Sequence, residues 1–166
     1  MEQRKQFEVS DELLASHGQR FLNLLLDTIM QLILFFIVLV FIVAKAEASG
    51  DKTFVTNLPT NTLAQYTITT CIALFYYNVF EIFSARTVGK WITQTIVVDQ
   101  NGEKPNSEMI LVRSLCRLIP FNALSIIGFP ARTWHDSISK TYVVDKRALE
   151  AEKQAFYKPT PTQNEA

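Results

Sequence analysis

Asp27 and Glu81 each sit inside a long apolar run, and Arg113 and Arg117, four residues apart on one helical face, are the cations best placed to meet them. An ionised side chain near a bilayer centre costs on the order of 3 kcal/mol on insertion scales, so such groups face protein or a water-filled cavity rather than lipid. A cluster of Asp27, Glu81, Arg113 and Arg117 has two uses. Its balanced charges can lock segments together, or an acid can take up and release a proton or monovalent cation while its arginine partner moves, as acids do in transporters. Arg20 opens the first run seven residues before Asp27, about 10 Å along a helix axis. That is far for a direct bond and lets Arg20 snorkel to the headgroups.

These groups need helices to hold them. Phe21 to Ala44 is 24 residues with no Lys, Arg or Glu, and at about 1.5 Å per residue such a helix crosses the roughly 30 Å hydrocarbon core. On a helical wheel Arg20, Asn23, Asp27 and Gln31 fall within about 80° of one another, a polar stripe on a lipid-compatible helix. Tyr66 to Ala85, with Glu81 as its sole charge, reads as the return helix of a hairpin. Its stripe is Thr70, Tyr77, Glu81 and Ser84, with Asn78 as a further supporting polar group, and Tyr76, Tyr77, Arg86 and Trp91 are types that gather at membrane interfaces. Asp27 and Glu81 then lie about 9 Å and 6 Å from the same membrane surface. Two acids at similar depth repel or share a proton unless cations intervene.

Basic loops are retained on the cytoplasmic side, which fixes orientation. Residues 1–20 carry three cations, the polar 45–64 loop two and residues 86–166 eleven, so with both ends on one side the split is 14 against 2. Both termini are therefore expected to be cytoplasmic. The leader carries Glu2, Glu8, Asp11 and Glu12 before an apolar run too long for a signal peptide, which argues against cleavage despite Ala44-Lys45-Ala46. A third segment, 108–129, contains Arg113, Arg117 and a mid-segment Pro120. Thr95-Ile-Val-Val-Asp99 before it and Thr141-Tyr-Val-Val-Asp145 after it read as two strands. If they pair, the segment between them dips into the membrane and returns, breaking at Pro120; a full crossing is the alternative and would place the basic tail outside. Residues 1–19 form a cytoplasmic segment, 20–145 the membrane domain, and 146–166 a charged tail, a short helix passing into partial disorder.

Other chemistries find little support. Lys plus Arg and Asp plus Glu are 16 each, so no global field favours nucleic acid. His17 and His135 lie far apart without metal-ligand spacing, and Cys71 and Cys116 read as small apolar side chains. Thr87-Val88-Gly89-Lys90 is no phosphate loop, because Ser84 and Trp91 stand where Gly and Ser or Thr are required. Lys90 is expected at lipid headgroups and Gly89 at a sharp helix exit. No enzyme signature, metal site or cofactor motif is present.

Arg20 and Asp27 in the first helix, "TVGK" at 87–90, "VVDQNG" at 97–102, "LVRSLCRLIP" at 111–120 and "RTWHDSISKTYVV" at 132–144 occur in this order. This set resembles the RDD family of bacterial integral membrane proteins, named for one arginine and two aspartates. The resemblance places the second aspartate at Asp136, which read alone is a helix cap or a partner of Arg132 and could also join the embedded cluster. It implies an activity in transport, with ion antiport suggested for some members. The expected architecture is an all-α membrane protein: a two-helix transmembrane hairpin (21–44 and 66–85), a third embedded segment and a small cytoplasmic β-hairpin. The expected setting is the inner membrane, with lipid, a homo-oligomer or other membrane proteins as partners and a proton or monovalent cation as ligand. The competing function is a non-transporting scaffold or accessory subunit.

Overall fold

Ser16 and Gln19 form a reciprocal capping box, each side chain accepting from the other's backbone N–H. This satisfies two donors that a helix start leaves orphaned. In the computed structural model, which describes residues 6–50, 52–119 and 132–157, helix α1 then runs His17–Ser49 and ends at Gly50 with φ 74°, a left-handed conformation that suits glycine. The buried residues of α1 are Arg20, Asn23 and Asp27, whereas Phe21, Leu25, Leu32, Phe36 and Phe41 are exposed. Its polarity is inverted relative to a helix that packs in water.

A short helix α2, Thr53–Asn57, leads into α3, Thr62–Ser84, whose start is capped by Asn61 Oδ1 accepting from Ala64 N–H at 3.0 Å. Helix α3 returns along α1 and buries Tyr76, Tyr77 and Glu81. Both α1 and α3 are long and apolar enough to cross a membrane. The chain leaves α3 through Ala85, at φ 54°, and immediately forms the single-turn helix α4, Val88–Ile92, packed against α1.

Strand β1 is Thr95–Val98 and β2 is Tyr142–Asp145. They pair antiparallel, Thr95 opposite Asp145 and Val98 opposite Tyr142, so the repeated β-branched words do form one hairpin-like ladder. Alternation then sorts the side chains by face. Ile96, Val98, Tyr142 and Val144 face a core completed by Phe7 and Leu13 of the N-terminal arm and Leu149 of α7, Lys146–Tyr157. Val97 and Val143 pack with Ala15 on the other face. The arm is tied down by Ala15 N–H donating to the Val143 carbonyl at 2.9 Å and Val9 N–H to the Gln100 carbonyl at 3.0 Å. The tail is thus a packed helix as far as Tyr157.

Between the strands, α5 covers Ser107–Cys116, capped by Asn106 Oδ1 on Met109 N–H at 2.8 Å, and α6 covers Trp134–Ile138. Helix α5 packs on α3 and on α6. The expected embedded segment 108–129 is described as far as residue 119; the Pro120 break and the rest of that segment lie outside the described residues.

Candidate functional site

The sheet face bearing Thr95, Val97 and Val143 turns toward the buried stripe of α1, and α3, α4, α5 and α6 close round it. Arg20 donates from Nε to the Ala15 carbonyl at 3.3 Å and from Nη2 to the Val143 carbonyl at 3.4 Å, and pairs through Nη1 with Asp136 at 2.5 Å. Asn23 donates to Thr95 Oγ1 at 3.0 Å and accepts from Thr93 Oγ1. These contacts seat the helix stripe on the sheet.

Two carboxylates are locked between cations. Glu81, fully buried, receives Lys90 Nζ and Arg117 Nη2 on Oε1, each at 2.8 Å, and Arg113 Nε on Oε2 at 3.1 Å. Asp136, also fully buried, sits between Arg20 and Arg113 Nη1, with His135 Nε2 at 3.4 Å. Arg113 therefore joins the two acids, and its Nη1 also donates to Thr141 Oγ1 at 2.6 Å. Burial opposes the ionisation of Asp136, but the Arg113 and Arg20 guanidiniums hold it well below the usual carboxylate range. Burial, with Arg117 nearby, pushes His135 well below its ordinary value and keeps the ring neutral, and burial likewise lowers Lys90 against the pull of Glu81.

Asp27 is held differently. Its Oδ1 accepts from Tyr76 Oη at 2.8 Å and from Gly89 N–H at 2.9 Å, and its Oδ2 from Thr87 Oγ1 at 2.7 Å. Among the described residues it has no ion-pair partner. Thr87 also caps α4, accepting from Lys90 N–H, so one short helix presents its capping hydroxyl and a backbone donor to Asp27 and its lysine to Glu81. Gly89 permits this approach: a Cβ there would stand 2.8 Å from the Asn23 carbonyl oxygen and 2.9 Å from Asp27 Oδ1.

The charge cluster expected from the sequence is thus rearranged. Glu81, Arg113 and Arg117 do come together, but Asp27 stands apart with neutral donors. Arg20 is 5% exposed and pairs with Asp136 instead of snorkelling, because the stripe it shares with Asn23 and Asp27 faces the sheet and not lipid. Lys90 is buried on Glu81 rather than at headgroups, since the turn through Ala85 folds α4 back onto α1. Asp136 joins the embedded cluster, while Arg132 lies over the Tyr142 ring at 4.2 Å. Gly89 lies within α4, serving close approach and not a helix exit. Of the supporting polar groups, Gln31 lines the same cavity as Tyr77, Tyr77 carries the Arg117 guanidinium 3.7 Å over its ring, and Asn78 donates to its own helix at the Leu74 carbonyl. Sequence reasoning missed the site roles of Tyr76, Thr87, Lys90 and Thr141. The signal for Thr87 and Lys90 lay in the "TVGK" word, where a capping residue, a glycine and a lysine share one turn close after Glu81.

Arg20, Asp27, Lys90, Arg113, Ser114, Arg117 and His135 line a cavity of about 350 Å³, together with Leu24, Leu74, Leu118 and Val143. The lining mixes charged and apolar side chains. Comparison with curated proteins and with solved structures finds no match. The RDD family model matches residues 14–140, which include every charged side chain of the cluster. On that match the chain belongs to the RDD family, a family of membrane-associated proteins.

Proposed function

We propose that this protein is a multi-pass inner-membrane protein that moves an ion or small solute, with Asp27 engaging the coupling proton or sodium ion. The supporting observation is the contrast between its carboxylates. Glu81 and Asp136 are each held by two or more cations, so protonating either leaves buried cations uncompensated. Asp27 lines the cavity and is held by two hydroxyls and one amide. Hydroxyls can reverse their roles as the carboxyl gains or loses a proton, whereas ammonium and guanidinium groups cannot accept. An intramembrane acid of this kind is a functional-site hypothesis by default.

In this reading α1 and α3 cross the membrane with both termini cytoplasmic. The third segment begins and ends on the same side as the sheet, which is supported by the pairing of β1 with β2. The exposed apolar side chains of α1 contact lipid and neighbouring copies or partner membrane proteins. The protein acts without enzymatic chemistry. A second reading, a non-transporting scaffold or accessory subunit, draws on the same ion pairs: they tie α1, α3, α4, α5 and α6 together as a structural lock would.

Proton and sodium flux in proteoliposomes separates the two. Wild type is expected to carry flux that falls at least about ten-fold in Asp27→Asn, an effect of about 1.4 kcal/mol or more, with folded yield retained. Glu81→Gln is expected to lower folded yield instead. Absence of flux in well-folded wild type would sink the transport reading in favour of the scaffold, and undiminished flux in Asp27→Asn would remove Asp27 from the coupling role.

A further inference from the structure

The buried network is not electrically balanced. Its cations are Arg20, Lys90, Arg113 and Arg117, four in all, and its carboxylates are Asp27, Glu81 and Asp136, three in all. His135, neutral where it lies, adds nothing. Residues 120–131, beyond the end of α5, contain no Asp, Glu, Lys or Arg and leave the count unchanged. Three of the cations are arginines, which do not shed a proton to relieve the excess, and the fourth, Lys90, lies 2.8 Å from the Glu81 carboxylate. A buried surplus charge is costly unless an opposite charge meets it.

Arg117 is the most accessible of the four cations. Arg117 spends Nη2 on Glu81 and stacks on Tyr77, but its Nε has no hydrogen-bond partner among the described residues. Its side chain is 16% exposed, against 5% or less for the other three cations. Ser114, three residues earlier on α5, is fully buried, and its Oγ also has no partner among the described residues. Both line the cavity. A guanidinium with unused donors beside a hydroxyl matches an anion with several acceptor oxygens.

We infer that the cavity binds a phosphate-type oxyanion between Arg117 and Ser114. The inference deepens the proposed function by giving its solute a chemistry, and it rests on that reading of the cavity as a solute site. Two sources share this chemistry. A free phosphate would engage the charged groups alone, whereas a phospholipid headgroup would also set its acyl chains against the apolar lining residues Leu24, Leu74 and Leu118.

The test is a thermal-melting titration of the full chain in phosphate-free, lipid-depleted detergent. Sodium phosphate is compared with sodium chloride at equal ionic strength, and phosphatidylglycerol with phosphatidylcholine in mixed micelles. A saturable rise in Tm is expected in one arm: with phosphate if the ligand is the free anion, with phosphatidylglycerol alone if it is a headgroup. Arg117→Gln is expected to weaken the response about ten-fold or more, the size of a lost charge-assisted hydrogen bond. Ser114→Asp places a carboxylate inside the site, and should abolish the response while melting no lower than wild type without anion.

The inference is overturned if neither phosphate nor phosphatidylglycerol acts beyond its control, or if both variants fold and respond like wild type. Should both variants misfold, the wild-type arms decide alone. Flux that depends on Asp27 without any anion response would leave the proposed function standing and remove the anion; an anion response without flux would keep the site and remove the transport.

Discussion

At Gly89 the backbone of α4 meets α1 with no room for a side chain, and the same amide donates to Asp27. A methyl group there would press on the Asn23 carbonyl and the Asp27 carboxylate, and overpacking of this kind costs about 1–3 kcal/mol. Gly89→Ala is therefore expected to melt several degrees below wild type in detergent. Gly18 provides the control, because its added Cβ would meet nothing nearer than Ser16 Oγ at 3.9 Å; Gly18→Ala should be neutral or slightly stabilising, as Ala favours helix. A second expectation concerns His135, which faces Arg117, Asp136, Arg113 and Glu81 and is held well below its ordinary 6.5 by burial first and Arg117 next. The unfolded chain then binds a proton that the folded chain refuses. Its contribution is fully present above pH 6.5 and is lost as pH falls below that value, at up to about 1.4 kcal/mol per pH unit. Asp136 does not confuse this window, because its own contribution is lost only below its ordinary 3.8. The slope of Tm between about pH 7 and about pH 5 should flatten in His135→Gln; an unchanged slope would assign it to other groups.

Helices α1 and α3 and the strand pair were legible in the sequence because each depends on a local pattern. The stripe Arg20, Asn23, Asp27 follows from helical periodicity, and the two Val-Val-Asp words follow from strand chemistry and a turn. What joins the elements was not legible. Arg20 meets Asp136 across 116 residues and Asp27 meets Thr87 across 60, and no spacing rule reaches that far. Charge arithmetic paired Asp27 with an arginine because it counted ions and ignored hydroxyls and amides. The structure instead assigns the arginines to Glu81 and Asp136 and gives Asp27 neutral donors. The reversal through Ala85, at φ 54°, was equally hidden, since alanine carries none of the usual signal for a left-handed turn. It is this reversal that turns Lys90 from a headgroup residue into a buried partner of Glu81.

The molecule divides into an apolar hairpin and a compact cap, made of the N-terminal arm, the sheet and α7, with the charge network where they meet. If the basic ends are cytoplasmic, a cysteine at exposed Thr60, in a chain with Cys71 and Cys116 replaced, should react with an impermeant maleimide in intact cells. One at Glu152, on the exposed side of α7, should react only after permeabilisation. The opposite pattern would invert the topology. The pairing of Arg20 with Asp136 also has a consequence for synthesis. Helix α1 leaves the ribosome 116 residues before its partner exists, an interval on the order of ten seconds at ordinary elongation rates. During that time Arg20, Asn23 and Asp27 have neither sheet nor α4 to face, so the nascent hairpin depends on the interface or the insertion machinery to shelter them. A transcript truncated before residue 136 yields a chain whose first helix never finds its counter-charge, because Asp136 is the carboxylate that pairs with Arg20.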